Sequence, residues 1–261
     1  MPVSANAPQP QPRSSEAIII VKAAPQLGGK HGETVCTAGI TRSGSWLRLF
    51  PIAFRSLREA QQFKRWNIVS FRSAQPKDDR RQESRRVEHQ SLVVTGDLPD
   101  NQRFGLINPM IKQSLNAERE AGRSLAFIRP AIRKFSIERR KEDEVRRDRE
   151  RFAIYAEQSD FFLKPLVPYV PCPYVFKYEY DTIDGRRTGT CQDWETEATF
   201  FHWTKRYGEK TALEKMKAEW GEELPRKGLL FAMGTHSLYP DVWLINGLVQ
   251  LPEQGQLGLA V

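Results

Sequence analysis

The chain is poor in cysteine. Its three cysteines, Cys36, Cys172 and Cys191, are odd in number and include no CxxC pair. That argues against a disulfide framework and against a structural zinc site. Long hydrophobic runs are also missing. Ile18 to Val21 is the longest purely aliphatic stretch, far short of the roughly 20 residues a spanning helix needs and too short for a secretory signal core. There is no GxGxxG, Walker A, HExxH, GxSxG or kinase element, and no repeat of the kind that builds solenoids or propellers. A soluble, cytoplasmic protein with neither metal nor cofactor is therefore expected.

What is present is charge, unevenly placed. The 261 residues carry a formal net charge of +8. Residues 1–151 hold 29 Lys/Arg against 17 Asp/Glu, whereas residues 152–261 hold 11 against 15. Residues 42–89 alone hold 12 basic and 5 acidic side chains, ten of the basic ones arginine. Concentrated positive charge is the footprint of a polyanion partner, and the planar guanidinium fork suits phosphate better than the point charge of lysine does.

Along the chain, residues 1–15 form a Pro/Gln/Ala/Ser tail that is expected to be disordered, and residues 16–261 read as one α+β domain. Glu16 to Lys22 reads as a buried strand. The glycine-rich Gln26 to Gly32 reads as a loop whose spacing matches no phosphate-binding motif. Thr34 to Ile40 and Ser45 to Phe50 form a hairpin about Arg42-Ser43-Gly44. On its second strand, Leu47 and Leu49 face the core while Trp46, Arg48 and Phe50 share the other face. Helices are expected over Ser56 to Trp66, Ile107 to Ala121, Trp194 to Tyr207 and Glu209 to Gly221. Tyr174, Phe176, Tyr178 and Tyr180 alternate along one strand as a core ladder. Strands come in neighbouring pairs and helices in clusters, which favours a mixed or antiparallel, barrel-like sheet over a doubly wound one.

Two places carry candidate chemistry. In Lys77 to Arg86 (KDDRRQESRR), Asp79, Glu83 and Ser84 are placed to orient Arg81 and Arg86 as a phosphate clamp. In Asp193-Trp194-Glu195, Asp193 sits where a helix cap belongs, and His202 lies two turns beyond Glu195 on the same face. A carboxylate beside an imidazole is the pairing that activates water or steadies a cationic sugar. His236 and His31 stand in loops without metal-type spacing.

The strings Cys36-x-Ala38-Gly39-Ile40, Trp46-Leu-Arg-Leu-Phe-Pro51, Phe54-Arg55, Gln62-Phe-Lys-Arg-Trp66, Asp79-x-Arg81-x-Glu83-Ser84-x-Arg86, Asp193-Trp-Glu195 and Gly234-Thr235 with Trp243-Leu-Ile245 are similar to those of a bacterial group. That group comes from phage-defence and DNA-modification neighbourhoods, and the chain resembles its anti-phage DNA glycosylases acting on glucosylated cytosine. The resemblance implies a DNA partner, a flipped-out modified base and hydrolysis of its N-glycosidic bond. The expected catalytic residues are Asp193, Glu195, Asp79 and His202. The expected nucleic-acid contacts are Arg42, Trp46, Arg48, Phe50, Arg55, Lys64, Trp66, Arg81 and Arg86. Two other readings use the same arginines and aromatics: a non-catalytic reader of modified bases, and an RNA-directed nuclease or toxin. No membrane partner is expected.

Overall fold

The computed structural model describes residues 13–29, 31–159, 166–236 and 238–251. Residues 1–12 of the expected tail lie outside them. The next three residues, also assigned to the tail, are strand: β1 (Arg13–Lys22) begins at Arg13, which pairs with Ser73.

The amino-terminal part is a barrel. β1 pairs antiparallel with β4 (Thr37–Ile40), and β4 pairs antiparallel with β5 (Trp46–Phe50). Next, β5 runs parallel to β7 (Ser84–Val87), which pairs antiparallel with β6 (Asn67–Ala74). Finally β6 returns to β1 and closes the ring. A further strand, β8 (Val93–Asp97), extends β6. A short hairpin, β2 (Gln26–Gly28) and β3 (Gly32–Thr34), projects between β1 and β4. This hairpin replaces the loop expected over Gln26 to Gly32. Its turn needs glycine at Gly32, where φ is +63° and an added Cβ would lie 2.5 Å from Tyr155 Oη.

The second part starts with α1 (Asp100–Ile107), β9 (Ile111–Lys112), α2 (Leu115–Glu120) and β10 (Leu125–Ile128). β11 (Ala131–Arg139) and α3 (Glu142–Ser159) follow. Then come β12 (Tyr174–Thr182), β13 (Gly185–Thr190), α4 (Trp194–Tyr207), α5 (Glu209–Ala218), β14 (Leu229–Thr235) and β15 (Trp243–Gln250). One sheet has the order β15-β14-β10-β9, and another has the order β11-β12-β13.

Three apolar clusters layer these parts. Ala17, Ile19, Leu47, Leu49, Val69 and Phe71 fill the barrel. Ile18, Ile20, Ala38 and Ile40, on the barrel's outer face, pack against Phe127, Leu230, Ala232 and Val249 of the second sheet. On that sheet's far side, Phe231 and Met233 meet the ladder Tyr174, Phe176, Tyr178 and Tyr180. β1 and β14 are thus covered on both faces, which is why they read as unbroken apolar runs. The architecture is α+β with a closed five-stranded mixed barrel.

One expected helix is absent and another is broken. Between Ser56 and Trp66 there are only 3-10 turns, Phe54–Ser56 and Glu59–Gln61. The Ile107 to Ala121 stretch breaks at Asn108-Pro109 into α1, a 3-10 turn, β9 and α2, because proline supplies no amide donor and restrains the residue before it.

Candidate functional site

The outer face of β5 leads into the site. Trp46, at one end, is covered by Phe127, with ring centroids 4.5 Å apart. Arg48, in the middle, is roofed by Ser124. Phe50, at the far end, is 38% exposed. The second sheet therefore peels away from the barrel along this strand, and where it does so a cleft of about 1130 Å3 opens. β5 and β7 contribute to its lining with Arg48, Phe50, Ser84, Arg85 and Arg86. Four further segments contribute: the β2–β3 hairpin, residues 76–81 between β6 and β7, residues 119–124 before β10, and the loop between β14 and β15. Seven arginines line the cleft (48, 80, 81, 85, 86, 119 and 123) against two aspartates, Asp78 and Asp79.

The arginines are not equivalent. Asp79 holds Arg81 by a fork, with Nε–Oδ1 at 2.8 Å and Nη2–Oδ2 at 2.6 Å, and Ser84 Oγ donates to the same carboxylate at 2.7 Å. Desolvation would raise the Asp79 carboxyl, but these donors win and hold it down at about 2. Arg119 pairs with Asp241, and Arg123 pairs with Glu118. Arg85 bonds to Gln75 and to main-chain carbonyls. Arg80 and Arg86 are exposed and make no ion pair among the described residues. Glu83, expected to orient an arginine, instead accepts from Ser124 N at 2.8 Å and Ser124 Oγ at 3.1 Å.

Arg48 is the unusual group. It is 8% exposed, and its Nη2 donates to Ser124 O and Oγ at 3.1 and 3.3 Å. Its buried Nε has no partner, and no carboxylate reaches salt-bridge distance among the described residues. Removal from water, with the Arg81 charge acting in the same direction, brings its pKa down to about 10. A buried guanidinium without a counter-ion is costly, and an incoming anion would remove that cost. Beside it the Cys36 thiol opens onto the cleft. The enclosing walls push that thiol's pKa up, against the pull of Arg48 and Arg81. Two ring pairs lie at the margins, His31 with Phe50 at 5.4 Å and His236 with Tyr239 at 5.2 Å.

Of the residues expected from the sequence, the cleft gathers Asp79, Arg48, Phe50, Arg81 and Arg86. The others lie outside its lining. Asp193 is 2% exposed and serves the fold: it caps α4 through Glu195 N, accepts from Leu248 N at 2.7 Å, and binds Arg65 Nη2 at 2.7 Å. Glu195 shares that arginine at 3.1 Å, and His202 stands exposed on α4. Trp66 packs beneath Arg103, whose guanidinium lies 4.5 Å from its ring centroid. Arg55 pairs with Glu33 at the base of the hairpin, Arg42 pairs with Glu16, and Lys64 is exposed elsewhere. The sequence reading missed Arg119, Arg123, Ser124 and Asn246, which reach the cleft only because the second sheet docks on the barrel. Cys36 stands in the string Cys36-x-Ala38-Gly39-Ile40 and was given no role in the site.

Numbered within the barrel, the strand order is 1-2-3-5-4-1, with the third and fifth strands parallel. This is the OB-type arrangement, and the cleft uses its third strand together with the loops joining strands 1 to 2 and 4 to 5. The molecule is thus an OB-type barrel docked on a second α+β layer. Residues 110–260 match the family described as Domain of unknown function (DUF8757), and the chain belongs to it. Residues 13–112, the barrel together with α1 and β9, match Domain of unknown function (DUF8758). No curated protein sequence matches the chain. Several solved structures are distantly similar, two of them as follows. One, from "Molecular basis for abrogation of activation of pro-inflammatory cytokines", is 7% identical over 70% of this chain and 76% of that one, with a TM-score of 0.31. The other, from "Structure and Conformational Change of a Replication Protein A Heterotrimer Bound to ssDNA", is 12% identical with a TM-score of 0.36. It aligns with 94% of this chain, which spans about half (51%) of that chain's length. Likeness at these scores carries no weight, and the barrel type rests on its strand order. Among the described residues no helix is long and apolar enough to cross a membrane.

Proposed function

We propose that this protein binds single-stranded DNA in the arginine-lined cleft. One observation supports the reading above the rest. Half of the basic segment's ten arginines, Arg48, Arg80, Arg81, Arg85 and Arg86, come together on the barrel face and loops that OB barrels use for oligonucleotides. Fold alone would not argue function; the chemistry of this lining does. Guanidinium groups take phosphates, and the exposed Phe50 and Tyr239 rings offer stacking faces to unpaired bases.

Hydrolysis of a modified base, the activity implied by the resemblance, would have to draw on Asp78 and Asp79, the carboxylates of the cleft. Both Asp79 oxygens are committed to Arg81 and Ser84, which suits a clamp better than the activation of water. Binding without chemistry is therefore the favoured reading. Fluorescence anisotropy with single-stranded DNA, duplex DNA and RNA of one sequence tests it, and tight binding of the DNA single strand is expected. Equal affinity for duplex, or preference for RNA, would overturn the assignment. Incubation with glucosylated and plain DNA followed by hot alkali reports any base release as strand breaks, and none is expected.

A further inference from the structure

We infer that the cleft captures the end of a strand, through a terminal phosphate monoester seated on Arg48. This deepens the single-strand reading and rests on it. The grounds are the depth and isolation of Arg48. Internal phosphodiesters run along a chain and meet arginines at a surface. Here the surface arginines are Arg80 and Arg86, exposed and without ion pairs among the described residues. Arg48 is different, being more than nine-tenths buried with an unpartnered Nε and no carboxylate at salt-bridge distance among the described residues, Glu83 and Asp79 acting on it only from further away.

The surroundings of Arg48 are tied together. Arg81 bonds across to Thr235 O at 3.2 Å, and Ser124 is held by Glu83 on the barrel side while accepting from Arg48. The hairpin and the β14–β15 loop add further walls. A continuous strand would have to bend sharply down and back to place a diester there, whereas a chain end reaches it directly. The charges agree. A monoester carries about −1.5 to −2 near pH 7 and three acceptor oxygens, a diester one charge. Arg48 and Arg81 together present two guanidinium groups, of which only Arg81 has a carboxylate partner. Asn246 also lines the cleft and can donate to an anion.

The test uses the full chain and a 12-nucleotide single-stranded DNA in three forms: 5′-phosphorylated, 3′-phosphorylated and bearing hydroxyls at both ends. Each carries its fluorophore away from the end examined. One phosphorylated form is expected to bind at least tenfold more tightly than the hydroxyl form, and which one it is identifies the end. In Arg48→Lys the two affinities should come within about twofold, since a point charge lacks the fork. A second readout needs no variant. Cys36 is the exposed thiol, with Cys172 and Cys191 buried, so its alkylation by iodoacetamide, followed by mass, should slow at least tenfold with the preferred oligonucleotide at equal saturation. Equal affinities for all three forms, with strand binding intact, overturn the end site and leave the single-strand reading standing. Absence of binding by any form at low salt overturns both.

Discussion

Arg81 donates to the main-chain oxygen of Thr235, 154 residues further along the chain, at 3.2 Å. One side chain thus joins the barrel's last connecting loop to the strand that carries the opposite wall of the cleft. Asp79 aims that side chain, so the link between the two walls is set by the fold itself. Asp79→Asn should leave the fold intact and weaken oligonucleotide binding by about tenfold, the scale expected when a charge-assisted hydrogen bond is lost. Anisotropy on the folded variant checks this.

The same pair gives a pH signature. The folded pKa of Asp79 is depressed to about 2, below the roughly 3.9 of an unfolded aspartate. Its stabilisation is therefore complete above about pH 4 and is lost as pH falls from about 4 through 2. Melting temperatures of wild type and Asp79→Asn should differ by a constant amount between pH 5 and 8 and converge below pH 3. A constant gap down to pH 2 would show that the carboxylate is not held in this way.

Arg48 should behave oppositely to an ordinary buried residue. Its charge is desolvated without a counter-ion, so Arg48→Met removes a destabilising group as well as two hydrogen bonds to Ser124. Buried ionic groups replaced by apolar ones of similar size are often neutral or stabilising. The variant should unfold within about 1 kcal/mol of wild type, or later, in urea while losing its preference for the phosphorylated strand end. A fall of several kcal/mol would mean that Arg48 holds the fold together.

Asp193 should do the reverse. It unites a helix cap, the Leu248 amide and the Arg65 charge, and breaking such a buried pair costs about 3–5 kcal/mol. Asp193→Ala should lower the thermal midpoint markedly. Whatever fraction remains folded should bind DNA as wild type does, as measured by active-site titration against a tight oligonucleotide.

Salt dependence counts the contacts. Arg48, Arg80, Arg85 and Arg86 line the cleft without a carboxylate partner among the described residues. With about four phosphates neutralised on a single strand, log affinity against log salt should slope near −3. A flat response would exclude phosphate recognition.

Much of the plan could be read directly from the residues. The alternation of Leu47 and Leu49 against Trp46, Arg48 and Phe50 gave both faces of β5, and the one-sided tyrosine and phenylalanine ladder gave the core of the second layer. Of the KDDRRQESRR cluster, the Asp79–Arg81–Ser84 contacts were legible because these residues are close enough in sequence to bond locally, whereas Glu83 turns to Ser124 and Arg86 stands apart. Where the signals were ambiguous the outcome followed tertiary demands: Ser56 to Trp66 has helical composition yet must span from β5 to β6 across the barrel end, and does so in 3-10 turns.

Asp193 marks the boundary between the two sources of information. A capping aspartate and a catalytic one look identical in sequence, since both want a carboxylate at a helix start. Only the approach of Arg65 and the Leu248 amide from distant segments gave Asp193 a structural role and carried it away from the cleft. The sequence by itself determined which side chains could hold an anion and which strands could be buried on both faces, because period and charge are local properties. Tertiary structure decided that Arg48 would face Ser124, that Arg119 and Arg123 would join it, and that Trp46 and Trp66 would be spent on packing. Those outcomes depend on where two separately patterned layers touch and where they part, and no local pattern encodes that.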